Sequence, residues 1–189
     1  MFDQFIKEKE EFLRKKDKSK KGYVDKDILQ ILKLINSNNN YYTTSSCSGR
    51  IVLLVMKSRK KNESDLIINK HDTVNFDEII KPLRDKTKNE IWFKQQPLIL
   101  HVACRNIEFA KKFLDISRKL FRRAGIIGIS DRKIVIEVIG TENMEAIVAD
   151  ETFVADEAYL NQIIKYANRN FVENKKKCGR FLNILKKLR

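Results

Sequence analysis

Glycine is scarce in this 189-residue chain, with six residues at positions 22, 49, 125, 128, 140 and 179. They cannot be assembled into a G-x-G-x-x-G turn or a Walker-type loop. That excludes a nucleotide or dinucleotide held on a conventional glycine-rich turn. Cysteine (Cys47, Cys104, Cys178) and histidine (His71, His101) are too few and too widely spaced for a disulfide framework or a zinc site. Neither G-x-S-x-G nor H-E-x-x-H occurs, which removes the commonest hydrolase and metalloprotease patterns. No apolar run is long enough to span a bilayer, and Met1 to Glu10 has no signal-peptide core. The expected setting is soluble, reducing and cytoplasmic. Repeats, heptads and low-complexity linkers are also missing, so the chain reads as one domain with room for a real core.

What the chain has in abundance is positive charge: 39 Lys and Arg against 25 Asp and Glu, a formal net charge of +14. Two readings follow. One is a polyanionic partner, nucleic acid first and anionic membrane second. The other is a lysine-rich proteome or high-temperature adaptation, in which the charge says nothing about partners.

The most unusual stretch is Tyr42-Thr43-Thr44-Ser45-Ser46-Cys47-Ser48-Gly49-Arg50, followed by the apolar run Ile51 to Met56. Six small hydroxyl or thiol residues offer hydrogen-bonding groups with little bulk, Gly49 adds backbone freedom, and Arg50 adds a planar charged fork. At the mouth of a buried strand, such a segment suits an anionic or highly polar ligand. It equally fits a polar loop entering a strand.

Periodicity organises the rest. Phe2 to Lys16 predicts an amphipathic helix, and a turn follows at Ser19 to Gly22. Asp25 is the expected cap of a second helix carrying Ile28, Ile31, Leu32 and Ile35, which ends in the polar run Asn36 to Asn40. A strand is expected over Arg50 to Lys57, then a charged loop from Ser58 to Asn75 around a short strand at Leu66 to Ile68. Phe76 to Lys88 reads as a helix in spite of Pro82, and Ile91 to Phe93 and Leu98 to Arg105 read as strands. The second of these is nearly continuous in apolar residues and therefore central. Asn106 to Arg123 is the clearest helix, with Phe109, Ala110, Phe113, Leu114, Leu120 and Phe121 on one face. Strands follow at Ile126 to Ile129 and Lys133 to Gly140, then a strand pair over Met144 to Phe153. Asp156 caps a long terminal helical region, whose basic continuation over 174–189 forms a separate C-terminal helix in this reading. The order predicts a single α+β domain with a mixed or antiparallel sheet and flanking helices.

A second constellation lies on the predicted central strand. His101 sits among apolar residues, where an imidazole either finds a hydrogen-bond partner as part of the core or serves a function. Trp92, the only tryptophan, is either a core anchor or a stacking surface for a flat ring. Arg105 ends the same strand as His101 and matches Arg50 in kind, and two arginines at strand ends can clamp a carboxylate or phosphate. Arg122 and Arg123 suit a phosphate contact or a solvated helix end. Cys47 has no neighbouring histidine in sequence to support a role as nucleophile.

In order, these pieces resemble the wybutosine-synthesizing tRNA methyltransferases, the third enzyme family of that pathway. The matching stretches are KKGYVD from Lys20 to Asp25, Ile35-Asn36, YTTSSCSGRI from Tyr42 to Ile51, and IWFKQQPLILHVACR from Ile91 to Arg105. Arg122 to Ile129, Ile134 to Glu142, Tyr159-Leu160 and Ala167-Asn168 complete a resemblance over nearly the full length. The chain departs from the family at Lys70-His71, where Trp-His is usual, at Ala124-Gly125-Ile126, where Ser-Gly-Ile is usual, and at Leu98, where a second proline is usual.

The resemblance implies methyl transfer from S-adenosylmethionine to a ring nitrogen (N4) of the demethylwyosine-derived tricyclic base 3′ of the anticodon of tRNA(Phe). It also implies a fold unrelated to the Rossmann methyltransferases, in agreement with the missing glycine loop. By resemblance, Ser45, Cys47, Gly49, Arg50 and Trp92 hold the donor. His101 and Ser46 are the catalytic pair, and Arg105, Arg122 and Arg123 meet the substrate tRNA. No metal is implied. The alternative is a non-catalytic basic RNA-binding module, for which the charge and Trp92 suffice. Association of Lys175 to Arg189 with a membrane surface is a third reading.

Overall fold

The computed structural model describes residues 3–14, 28–57, 64–84 and 88–187. The turn expected at Ser19 to Gly22 and the expected cap Asp25 lie outside them. The class is α+β as expected, with two four-stranded sheets. All strand pairings among the described residues are antiparallel. The chain divides into two compact units, one formed by residues 1–48, 98–141 and 175–189 and the other by 49–97 and 142–174. Among the described residues no helix is long and apolar enough to cross a membrane.

The first unit holds helices α1 (Gln4–Arg14), α2 (Leu29–Asn36) and α4 (Ile107–Ser117), and strands β1 (Tyr41–Cys47), β5 (Ile99–Cys104), β6 (Gly125–Ile129) and β7 (Ile134–Ile139). Its sheet has the order β1-β5-β7-β6. The Ser/Thr segment is therefore not a loop before a strand but the edge strand of this sheet. Tyr41 and Tyr42 at its start are buried and anchor it, and their bulk outweighs the turn preference of the hydroxyl residues that follow. One sheet face carries Leu100, Val102, Cys104, Ile134, Ile136 and Val138 into the main core under α2 and α4. Burial pushes the Cys104 thiol up to about 12, so it acts as a small apolar residue there.

Asn106 caps α4, its side chain accepting from the Phe109 N–H at 3.1 Å. The helix stops at Ser117, short of the expected Arg123. The chain then turns, closed by Arg118 Nε donating to the Ala124 carbonyl at 3.0 Å, and so returns Phe121 to the core. There Phe121 meets Phe181 edge-on at 5.2 Å, and Phe181 also meets Phe113 at 6.5 Å. Phe181 belongs to α5 (Glu157–Leu185), which is unbroken through Lys175–Lys177; its residues from Lys175 onward lie in the first unit.

The other sheet face carries α1. Phe5 and Phe12 pack on Tyr42, and the Tyr42 hydroxyl, Glu8 and Lys133 hydrogen-bond to one another. The Lys133 bond holds the Glu8 carboxyl below its ordinary 4.5, against burial. Burial opposes the Lys133 ammonium, but its bonds to Glu8 and Tyr42 prevail and raise it above 10.5.

The second unit holds β2 (Arg50–Met56), β3 (Ser64–Lys70), α3 (Phe76–Leu83), β4 (Glu90–Gln96), β8 (Met144–Ala149) and the first part of α5. Its sheet order is β3-β2-β4-β8, and Ile51, Leu53, Ile91, Phe93 and Val148 face the core under α3 and α5. A reciprocal capping box starts α3, Asn75 accepting from the Glu78 N–H and Glu78 from the Asn75 N–H, both at 2.9 Å. Pro82 has no N–H for the Glu78 carbonyl, and the helix ends one residue later. Asp156 caps α5 by accepting from the Tyr159 N–H at 2.8 Å. The strand pair expected over Met144 to Phe153 is one strand, β8. Asp150 then accepts from the N–H groups of Thr152 and Phe153 and folds the chain into a turn, leaving a lone bridge between Ala149 and Val154.

Two predictions follow from the first unit. Phe181→Ala removes a fully buried ring from a three-ring cluster and should cost about 3–5 kcal/mol in urea unfolding; a loss below about 1 kcal/mol would contradict this packing. The depressed Glu8 carboxyl supplies stability that is present above pH 4.5 and lost as pH falls through its lowered folded value. Hydrogen exchange should therefore show α1 losing protection on acidification below pH 4.5, with Glu8→Gln reducing that dependence and leaving the part carried by the lowered Asp3 carboxyl.

Candidate functional site

In the first unit the register places one polar row across the whole sheet. Ser45 on β1 opposes His101 on β5, His101 opposes Glu137 on β7, and Glu137 opposes Gly125 on β6. Opposed residues in an antiparallel sheet share a face, with side chains about 4.5–5.5 Å apart at Cβ. This face is the one opposite the main core. The row lies between Tyr42-Ala103-Val135, the end covered by α1, and Cys47-Ile99-Ile139. His101 Nε2 meets Glu137 Oε1 at 3.0 Å. With an ionised Glu137 as acceptor, Nε2 is the donor of this bond, and the neutral ring then keeps its lone pair on Nδ1. His101 and Glu137 are 26% and 30% exposed, Ser45 is exposed, and Gly125 has open space where a Cβ would stand.

A bulge creates this row. The β1 register shifts between Thr43 and Ser45, leaving Thr44 as the extra residue. An unshifted ladder would put Thr44 opposite His101. With the bulge, Ser45 takes that place and Ser46 opposes Leu100, on the core-facing side of the sheet. The structure thus brings Ser45, not Ser46, beside His101. Glu137 is the residue that sequence reading missed. The alternation Ile134, Ile136, Val138 against Lys133, Val135, Glu137 put it on the second face of its strand, but only the register shows His101 there too.

Arg105 is fully engaged within the first unit. Its Nε donates to Asn40 Oδ1 at 2.9 Å, its NH2 to the Asn39 carbonyl at 3.1 Å and its NH1 to the Asp3 carboxylate, while the guanidinium lies over Phe5. It ties the N-terminus of α1 to the end of β5. Arg122 and Arg123 are exposed on the turn after α4. A cleft of about 280 Å³ opens in the same unit between α2 and α5, with Gln30, Ser48, Lys175, Cys178 and Gly179 among its walls.

In the second unit Gly49 has φ +108°, a region L side chains rarely adopt. A Cβ there would stand 2.6 Å from Asn174 Nδ2 and 3.0 Å from the Gln96 carbonyl. His71 Nδ1 lies 2.9 Å from the Gly49 carbonyl oxygen. Just after this pinned glycine, Arg50 Nε donates to Gln96 Oε1 at 2.7 Å and NH1 to Asn69 Oδ1 at 3.5 Å. Both partners are neutral amides, so they orient the guanidinium without cancelling its charge. Nearby on β4, Gln95 is fully buried and neither of its side-chain amide atoms has a hydrogen-bond partner. Asn168 holds the loop before α3 by bonding both the N–H and the carbonyl of Val74. Trp92 is not beside Arg50. It opposes Leu54, four residues along β2, donates Nε1–H to Glu90 at 2.9 Å and carries Lys94 over its ring at 4.6 Å.

S-adenosylmethionine presents an anionic carboxylate and several polar groups, and the donor set around Arg50 fits such a ligand: an oriented, uncancelled cation with amide side chains beside it. Among the described residues no group of His, Cys, Asp and Glu is arranged to hold a metal ion.

Comparison with known proteins gives a consistent result. The family model described as Methyltransferase TYW3 matches residues 7–187. A protein of Archaeoglobus fulgidus named tRNA(Phe) 7-((3-amino-3-carboxypropyl)-4-demethylwyosine(37)-N(4))-methyltransferase is 36% identical, over 100% of this chain and 95% of its own. The tRNA wybutosine-synthesizing protein 3 homolog of Bos taurus is 33% identical over 96% of this chain and 72% of its own. The solved structure of the PH1069 protein from Pyrococcus horikoshii superposes with a TM-score of 0.85 at 31% identity, covering 96% of this chain and 95% of that one. That match also sets the fold apart from the Rossmann methyltransferases. With the match running almost from end to end in both sequence and fold, the chain belongs to the TYW3 methyltransferase family.

Proposed function

We propose that this protein methylates N4 of the 7-(3-amino-3-carboxypropyl)-4-demethylwyosine base at position 37 of tRNA(Phe), with S-adenosylmethionine as donor. The observation that carries the reading is the Ser45-His101-Glu137 row, a carboxylate-backed imidazole on the open face of a sheet in a chain of this family. The relatives named for this reaction support the substrate.

Bound S-adenosylmethionine supplies an electrophilic methyl group on a sulfonium. Arg50, oriented by Gln96 and Asn69, would hold a carboxylate, either the donor's own or that of the aminocarboxypropyl arm. Gly49 lets the backbone make this approach, and His71 fixes its carbonyl. On the first unit, the ring nitrogen that takes the methyl gives up its proton, and His101 Nδ1 has the lone pair to receive it. Glu137 orients the ring and stabilises the imidazolium that results. The Ser45 hydroxyl, beside His101, is a donor or acceptor for the base edge. Ser46 and Cys47 line the same strand, and Trp92 and Arg105 act through the contacts given above. Holding nitrogen, methyl and sulfur in line supplies much of the rate. The protein works in the cytoplasm in this reading, where its tRNA substrate is found.

The reading is tested by incubating purified protein with S-adenosylmethionine and tRNA carrying the demethylated base, then measuring nucleosides by mass spectrometry. A mass gain of one methyl on that base is expected; binding of the tRNA with no methyl gain would leave the non-catalytic RNA-binding reading. Arg50→Ala should weaken S-adenosylmethionine binding roughly 10- to 100-fold by calorimetry, the equivalent of about 1.5–3 kcal/mol for bonds to a charged group. Glu137→Gln should lower kcat about tenfold or more, with the KM for the donor unchanged.

A further inference from the structure

Hydrogen bonding is least complete at one end of the second unit's sheet. Among the described residues four buried side-chain atoms make no hydrogen bond, and three of them belong together: Gln95 Nε2, Gln95 Oε1 and Glu142 Oε2. Gln95 is fully buried on the core face of β4. It stands directly opposite Ile51 on β2 and Met144 on β8, with Phe93 two residues along the same face. Glu142 comes two residues before Met144, just ahead of β8, and so is a diagonal neighbour of Gln95. Glu142 makes other interactions, but its Oε2 accepts no hydrogen bond.

Packing does not account for this glutamine. An amide buried without partners costs free energy at both its donor and its acceptor, and methionine would fill the same space without that cost. Other buried polar side chains are satisfied. Lys9 donates to the Asn38 carbonyl, the Thr43 hydroxyl bonds Asn36, and Asn174, beside Gly49 in the second unit, is engaged. An orphaned amide in that company calls for a partner from outside the chain.

The three atoms define what that partner presents. Nε2 donates while Oε1 and Oε2 accept, so the ligand offers one acceptor beside two donors. The surrounding Ile51, Phe93 and Met144 are apolar and suit a flat, uncharged ring. An α-amino-carboxylate also has donors and an acceptor, but it would carry two full charges into an apolar surround. The 6-amino edge of adenine matches on both counts, with two N–H groups on one nitrogen and a ring-nitrogen lone pair beside it. A glutamine amide pairs with that edge in bidentate fashion. We infer that Gln95 and Glu142 bind the adenine ring of the methyl donor, Gln95 pairing with its amino group and ring nitrogen and Glu142 accepting the second amino hydrogen. The inference rests on the S-adenosylmethionine reading above and adds a donor contact on the sheet face opposite Arg50. Entry is from the sheet edge. β8 is the outer strand, and Met144, half-exposed and unbranched, is the side chain beside Gln95 on that edge. Its flexible thioether can swing aside and then pack on the ring.

Calorimetry on the full-length protein with S-adenosylhomocysteine and its 6-oxo (inosyl) analogue tests this. The analogue carries an acceptor where adenine carries its amino donors. Wild type should bind the adenosyl compound at least about tenfold more tightly than the inosyl one. Q95M, close to glutamine in shape, should bind the adenosyl compound about tenfold less tightly and erase most of the preference, whereas R50A should keep it. Without ligand, Q95M should melt about 2–4 °C above wild type, because an unpaired amide has been removed. A preference that survives Q95M, a wild type with no preference, or a ligand-free Q95M less stable than wild type would each overturn the inference. So would Q95M that weakens tRNA binding but not S-adenosylhomocysteine binding, which would assign the pocket to a nucleotide of the RNA. A preference lost in Q95M, in a wild type that transfers no methyl group to the modified tRNA, would sink the proposed activity and leave the inference standing.

Discussion

The antiparallel register of the first sheet is the constraint on which the rest of this account depends. Side chains alternate along a strand, so one register decides two things at once. It turns Leu100, Val102 and Cys104 of β5 into the core, and it turns His101 outward between Ser45 and Glu137. A slip of one residue would expose the apolar set and bury the imidazole beside leucine and valine. The free energy of the apolar face, each large side chain contributing about 1.5–3 kcal/mol, thereby fixes the position of a polar row that contributes little to stability itself. The Thr44 bulge refines that position by one residue on a single strand, which is why a serine and not a threonine stands beside the histidine.

Much of the architecture was legible in the sequence because it follows from strong local patterns. The apolar run Leu98 to Arg105 announced a central strand, Asn106 and Asp156 announced caps, and missing glycine turns pointed away from nucleotide-binding folds. The Ser/Thr segment was harder. Its composition spoke for a loop, and only the burial of Tyr41 and Tyr42 shows why it is a strand. The α4 helix was read too long because Phe121 keeps helical spacing although it reaches the core through a turn. The partition into two units is not visible in the order of elements, since each unit gathers segments far apart in the chain. For the site, residue types pointed to His101 and Arg50, but Glu137 is a partner made by pairing across strands, and pairing leaves no trace in a single strand's composition.

The polar run is divided in a way that follows its chemistry. Ser45 to Ser48 belong to the first unit and Gly49 and Arg50 to the second. The glycine is required at this point by its positive φ and by the atoms crowding its Cα, and the arginine just after it is oriented by amides and not neutralised by an acid. Charge follows the same division: a basic first unit, and a nearly neutral second unit built around a tightly packed glycine and an oriented guanidinium.

At the centre stands the claim that Glu137 fixes His101 with its proton on Nε2 and its lone pair on Nδ1, turned to the open face of the sheet. Nitrogen-15 spectroscopy of the labelled His101 ring reads this directly at neutral pH. The account predicts a protonated Nε2 and a bare Nδ1 in the wild-type protein, with that preference lost in Glu137→Gln. A wild-type ring protonated on Nδ1, or a tautomer unchanged by Glu137→Gln, would contradict it.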